Sequence, residues 1–249
     1  MHITILTLFP EMVSPFFTSS IMKRAVDKGI ITYDIINFRD YAEGVHRKTD
    51  DLPYGGGAGM VLMPDPLFKA LSACGAGDKR VVFPTPSGRL FDQKMAEDLA
   101  SEEELVFICG HYEGLDQRVI DEFVDDEISI GDYVLSAGET STTVIIDALF
   151  RLIKGVITDE SLEDESFTSG LLEYPQYTRP ERYCLKSVPE VLSSGHHSHI
   201  TQWRSEKRLE KTMHNRPDLL SDASLSIEER RTLLIILDKE DRKWTLSEL

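Results

Sequence analysis

Over the first 155 residues, short and nearly continuous apolar runs alternate with stretches of helical periodicity, and few folds accept that pattern. The runs lie at 3–9 (ITILTLF), 30–38, 80–83, 105–109 and 127–130. Helical spacing occupies 15–28, 65–73, 91–100 and 115–123, and a last helix over about 139–154 carries Ile145, Leu149 and Leu152 on one face. Strands apolar on both faces and separated by helices predict a mostly parallel sheet covered on both sides, an α/β fold. The acidic, Ser- and Thr-rich stretch 156–170 has no apolar period and reads as a linker. From 171 a proline-broken segment (LLEYPQYTRPERY), expected to hold no regular structure, leads into helical patterns near 199–213 and 226–242. The expected organisation is an α/β domain over 1–155, a linker over 156–170 and a small C-terminal helical domain over 171–249.

Charge limits the partners. The formal net charge is −16, which disfavours bulk attraction to nucleic acid or anionic lipid, so a nucleic-acid site must be a local basic patch. Residues 121–170 hold thirteen acids against Arg151 and Lys154. The reverse holds over 196–216, where Arg204, Lys207, Arg208, Lys211 and Arg216 face only Glu206 and Glu210. Arg204, Lys207, Arg208 and Lys211 follow i, i+3, i+4, i+7 spacing and so share a helix face, suited either to phosphates or to plain solvation. The longest aliphatic run, 233–237, is too short to span a bilayer. An N-terminus without a basic start and three widely spaced cysteines fit a cytoplasmic protein without disulfides.

Familiar phosphate and metal motifs are missing. There is no P-loop, the YGGGAGM cluster (54–60) lacks the G-x-G-x-x-G register, and GHHSH (195–199) has no second ligand cluster, so no metal is expected. The loops after the predicted strands are more informative: FPTPSGRL (83–90), CGHYEGLD (109–116) and SIGDYVLSAGE (129–139). In doubly wound α/β folds ligands bind at the carboxyl ends of strands, where small residues let main-chain groups approach. Three tight turns are the plainer alternative. The long segment 39–60, read as lacking structure of its own, carries Arg39, His46, Arg47 and Lys48, then Asp50 and Asp51, and could wrap a phosphate-bearing partner.

Taken together and in order, DDLPYGGGAGM (50–60), CGHYEGLD, SIGDYVLSAGE and GLLEYPQYTRPE (170–181) closely resemble the bacterial tRNA (guanine-N1)-methyltransferases, of the SPOUT class of knotted methyltransferases. The resemblance runs from LFPEM (8–12) to NRPDLL (215–220). It implies S-adenosylmethionine as donor and, as substrate, the guanosine 3′ of the anticodon, position 37 of tRNA. It also implies a deep trefoil knot, which spacing alone does not indicate, and an obligate homodimer with the active site at the subunit interface. By resemblance the donor lies among Pro84 and Pro86, then Gly110, Tyr112 and Glu113, then Ile130, Gly131, Asp132, Tyr133, Val134 and Leu135, with Gly138. Glu113 and Asp132 would suit a sulfonium cation or equally cap turns. The tRNA anticodon arm would lie along Arg39, His46, Arg47, Lys48, Asp50, Gly56 and Gly57 and the helix bearing Arg204, Lys207, Arg208 and Lys211.

Guanine N1 is protonated at neutral pH, so catalysis needs a base for that proton and a cation for the charge spreading to O6. The resemblance assigns the cation to Arg151, which could otherwise pair with Asp147 one turn earlier. The family base is an aspartate before Ser-Phe, but here LEDESF puts Glu165 at that place and Asp164 one residue earlier. Glu165 is the expected base, Asp164 the alternative. A SPOUT enzyme acting on ribosomal RNA, a catalytically impaired RNA-binding homologue and, more remotely, a nucleotide-binding oxidoreductase remain competing readings.

Overall fold

The computed structural model describes residues 1–157, 166–167 and 170–247. Its contacts divide the chain into two compact units, Met1–Thr158 and Asp159–Leu249.

The first unit is built on five parallel strands: β1 (His2–Thr7), β2 (Thr32–Asn37), β5 (Arg80–Leu90), β6 (Glu104–Ile108) and β7 (Asp126–Ser129). Their order is β2-β1-β6-β5-β7. Two short strands, β3 (Asp50–Asp51) and β4 (Val61–Leu62), form a separate antiparallel pair. Side chains alternate between the faces as strand geometry requires. On one face Ile3, Ile5, Val82, Leu105 and Phe107 pack against α1 (Pro10–Phe17), α2 (Ser20–Asp27), α4 (Gln93–Ala100) and α6 (Gly138–Leu152). On the other, Leu6, Val81, Phe83, Val106 and Ile108 meet α3 (Pro64–Ala73) and α5 (Gln117–Phe123). The central strands are buried on both sides, as their continuous apolar sequence anticipates.

Several local expectations are corrected. The single helix over 15–28 is two helices. Proline at its first position starts α1 at Pro10, and the Thr18 hydroxyl donates back to the carbonyls of Ser14 (3.4 Å) and Pro15 (3.2 Å), closing it before α2. The strand expected over 80–83 runs on to Leu90, with its register against β7 broken between Pro84 and Arg89. Pro84 and Pro86 cannot donate to a ladder, so the chain bulges there. It can rejoin β7 because Gly88 has no side chain: a Cβ would lie 2.4 Å from the Glu127 carbonyl carbon. The segment 39–60 is not structureless, since it contains a 3₁₀ turn at Phe38–Tyr41 and β3.

In the second unit the expected helices extend to His197–Asn215 and Ile227–Ser247, with short helices at Glu190–Ser193 and Leu219–Asp222. A capping box starts the last long helix: Glu229 N–H donates to Ser226 Oγ (3.2 Å) and Ser226 N–H to Glu229 Oε2 (2.8 Å). The proline-broken segment does form structure at one place, a hairpin pairing Arg182–Tyr183 with Lys186–Ser187. Its turn residues Cys184 (φ 47°) and Leu185 (φ 64°) are both left-handed, the geometry that matches strand twist. Leu171, Leu209 and Ile236 form a small core.

Candidate active site

The bulge of β5 around Pro84 and Pro86 and the loops after β6 and β7 meet at the edge of the sheet and enclose a cavity of about 250 Å³. Glycines set how closely they meet. Gly138 N–H donates to the Gly110 carbonyl (2.9 Å), and a Cβ on Gly138 would lie 2.5 Å from Gly110 N. A Cβ on Gly110 would lie 2.8 Å from the Phe83 ring. Main chain therefore meets main chain at this wall, where no side chain could intervene.

Of the residues assigned to a donor site from sequence, Pro84, Pro86, Gly110, Tyr112, Glu113 and Gly138 line this cavity, as do Ile130, Gly131, Tyr133, Val134 and Leu135. Asp132 does not; it is exposed. Thr85, His111, Ser136 and Ser141 also line it and were not singled out from the sequence. His111 belongs to a buried polar group that sequence reasoning missed. Its Nε2 donates to both carboxylate oxygens of Glu139 (2.8 Å each), and Thr7 Oγ1 donates to Glu139 Oε1. Burial alone would raise the Glu139 pKa, but the hydrogen bonds from His111 and Thr7 outweigh it and hold the carboxyl below its ordinary value. The first turn of α6 adds favourable main-chain charge. The only sequence signal was an acid placed directly after Gly138 at a helix start. Cys109 is no nucleophile: burial, then the nearby Glu139 charge, push its thiol far up, so it stays neutral.

The glycine loop is stitched to this edge. Glu113 N–H donates to the Met60 carbonyl (3.0 Å), Leu62 N–H to Gly114 (2.9 Å) and Asp116 N–H to Leu62 (3.1 Å). Gly56 and Gly57 are left-handed or extended beyond what side chains accept (φ 78° and 129°), and Gly59 packs against the Glu113 side chain. Around the loop's base Arg39 Nη1 donates to the Arg47 carbonyl (3.3 Å), Arg47 pairs with Asp40 (2.8 Å) and Lys48 with Asp51 (3.0 Å). Asp50 lies in β3, and His46 is exposed. Cations there are already partly compensated.

Three further groups of residues were assigned from the sequence. Arg151 sits half-buried in the last turn of α6. At ~1.5 Å rise per residue its Cα lies ~20 Å along the axis from Gly138 and ~15 Å from Ser141, which also lines the cavity. Asp164 and Glu165 lie outside the described residues. The basic face of helix His197–Asn215 is less free than its spacing implied. Lys207 pairs with Glu210, three residues on along the same helix. The Arg204 guanidinium lies over the Tyr174 ring (4.7 Å), and Arg208 Nε donates to the Leu172 carbonyl (3.5 Å). Lys211 is exposed. His196 and His199 stack on each other (5.5 Å), and the described residues contain no cluster of three or more His, Cys, Asp or Glu fit for a metal ion. Among them no helix is long and apolar enough to cross a membrane.

A family model described as tRNA (Guanine-1)-methyltransferase TrmD matches residues 1–222. The chain is 59% identical over 223 residues to a tRNA (guanine-N(1)-)-methyltransferase of Treponema denticola, covering 90% of this chain and 92% of that protein. It is 55% identical to the protein so named from Treponema pallidum, covering 96% of this chain and 97% of that one. For the protein so named from Alkaliphilus oremlandii the identity is 50%, over 96% of this chain and all of that one.

Proposed function

The chain belongs to the tRNA (guanine-1)-methyltransferase family, and from that premise we propose that it methylates N1 of the guanosine 3′ of the anticodon, position 37 of tRNA, with S-adenosylmethionine as donor. The observation that carries this reading is the cavity between the β5 bulge and the ends of β6 and β7. Its residues fit such a donor. The Gly110–Gly138 approach makes the wall of main chain rather than side chains, while Ile130, Val134 and Leu135 offer apolar surface. The donor supplies an electrophilic methyl group on a sulfonium. The chain supplies the remainder: a carboxylate to take the N1 proton, Glu165 in preference to Asp164, and the Arg151 guanidinium to steady charge at O6.

An arginine ~15 Å or more along α6 from the cavity lining of its own subunit supports a homodimer in which each Arg151 serves the partner's cavity. Val134 (83% exposed), Tyr133 and Val144 give apolar surface for such pairing. The deep knot fits the tight passage of the segment entering α6 along the loop after β6. The glycine loop and the helix His197–Asn215 would take the anticodon arm, with the target base turned out of its stack. The domain roles follow: 1–155 for donor and chemistry, 156–170 as linker, 171–249 for tRNA. Action on tRNA, and the absence of a membrane-spanning helix among the described residues, support a cytoplasmic location.

Transfer of label from S-adenosylmethionine to tRNA carrying guanine at position 37, and none to the same tRNA carrying adenine there, is the expected result. Labelling of ribosomal RNA instead, or of no RNA, would overturn the reading.

A further inference from the structure

We propose that Glu139 is a positioning residue for the donor cavity: through His111 it sets the backbone of the wall that carries Tyr112. This rests on the reading of the cavity as the donor site.

The chain of contacts is complete and mostly buried. Phe9 N–H donates to Thr7 Oγ1 (2.8 Å), leaving the Thr7 hydroxyl proton for Glu139. Glu139 is 1% exposed and receives His111 Nε2 on both oxygens. The His111 ring also packs at 4.9 Å on Phe9. A buried carboxylate is costly where an apolar side chain could pack, so its partners decide what it is for. One end of this network lies in β1. The other is a ring that lines the cavity.

The backbone beside that ring is unusual. Tyr112 adopts φ +58°, a conformation that side chains with a Cβ rarely accept. Such a residue persists only where its surroundings over-determine it, and these residues gather at binding sites. Here the two sides are held separately. The His111 carbonyl accepts Gly114 N–H (3.1 Å), and Glu113 N–H is taken by Met60. With the His111 ring fixed by Glu139, the turn 111–114 has one position, and Tyr112 and Glu113 face the cavity from it. Without the carboxylate the imidazole can rotate, and the wall loses its anchor on the sheet side.

Binding of S-adenosylhomocysteine by calorimetry, donor KM and kcat, and thermal midpoint are measured together for wild type, Glu139→Gln, His111→Gln and the double variant. Each single variant should weaken S-adenosylhomocysteine binding and raise donor KM about tenfold, the scale of a displaced binding group, with kcat at saturating donor nearly kept. The double variant should be no worse than either single, since both break one chain. Unchanged affinity with a lowered thermal midpoint would reduce the network to fold support and overturn the proposal. If Glu139→Gln does not fold, Thr7→Val, which removes a Glu139 partner outside the cavity lining, takes its place, and unchanged S-adenosylhomocysteine affinity in it overturns the proposal. Failure of wild type to bind S-adenosylhomocysteine would instead sink the donor reading itself.

Discussion

At the scale of single residues, two carboxylates have opposite visibility. Glu165 is marked by the motif around it, and if it is the base, Glu165→Gln should abolish methyl transfer while leaving donor affinity within about twofold, because the proton step and donor binding are separate. Asp164→Asn should retain most activity; the reverse pattern would move the base to Asp164. Glu139 is marked by nothing but its place after Gly138. Its pKa, depressed below the ordinary 4.5, has a definite sign. A carboxyl lowered on folding contributes stability that is complete above its unfolded value and is lost as pH falls through the folded one. Denaturation midpoints followed from neutral pH down through the carboxyl range should therefore fall less steeply for Glu139→Gln than for wild type. An identical fall would show the pair carries no linked stability. Gly138→Ala tests the close approach of the two loops. A methyl 2.5 Å from Gly110 N must push main chain apart, costing roughly 1–3 kcal/mol and donor binding with it.

At the scale of elements, a helix's sequence spacing states which residues share a face, not what already occupies it. The i, i+3, i+4, i+7 rule correctly puts Arg204, Lys207, Arg208 and Lys211 together on helix His197–Asn215. The segment preceding that helix in sequence uses part of the face: Tyr174 lies under Arg204, Leu172 accepts from Arg208, and Leu172 N–H donates to Thr212 (2.9 Å). A clean test of phosphate binding therefore replaces Lys207 and Lys211 only, sparing Arg208. Binding of tRNA should weaken and the slope of log affinity against log salt should fall by roughly 1–2 units. An unchanged slope would make the face ordinary surface. The bulge in β5 teaches the same lesson from the other side. Pro84 and Pro86 announce that a ladder must break, but only pairing with β7 shows that the strand resumes at Arg89.

At the scale of the whole molecule, the distance between Arg151 and the cavity is the fact with most consequence. A single α6 cannot bring both of its ends to one guanine, so the proposed chemistry needs two copies of the chain. An Arg151→Ala subunit should be inactive alone, as should a Gly138→Val subunit with a blocked cavity. Mixed and allowed to exchange, they should regain activity, because one site of the heterodimer then has both an open cavity and an intact arginine. No recovery under conditions where exchange is demonstrated would place arginine and cavity in one subunit and end the reading in trans.

The alternation of apolar runs with helical periods determined by itself that a parallel sheet would lie between helices, because strands buried on both faces have no other low-cost arrangement. It also marked the three loops whose small residues form the cavity, since close main-chain approach leaves a compositional trace. Tertiary structure alone decided which polar groups lie beneath that cavity and which cations are already engaged. Thr7, His111 and Glu139 are far apart in the chain, and nothing local in any of them encodes the others; likewise Arg208 meets Leu172 only once segments are packed, whereas Lys207 and Glu210, three residues apart on one helix, are a pair that local spacing already offers. Periodicity records where a residue faces. Pairing energy depends on what faces it, and that is a property of the folded chain.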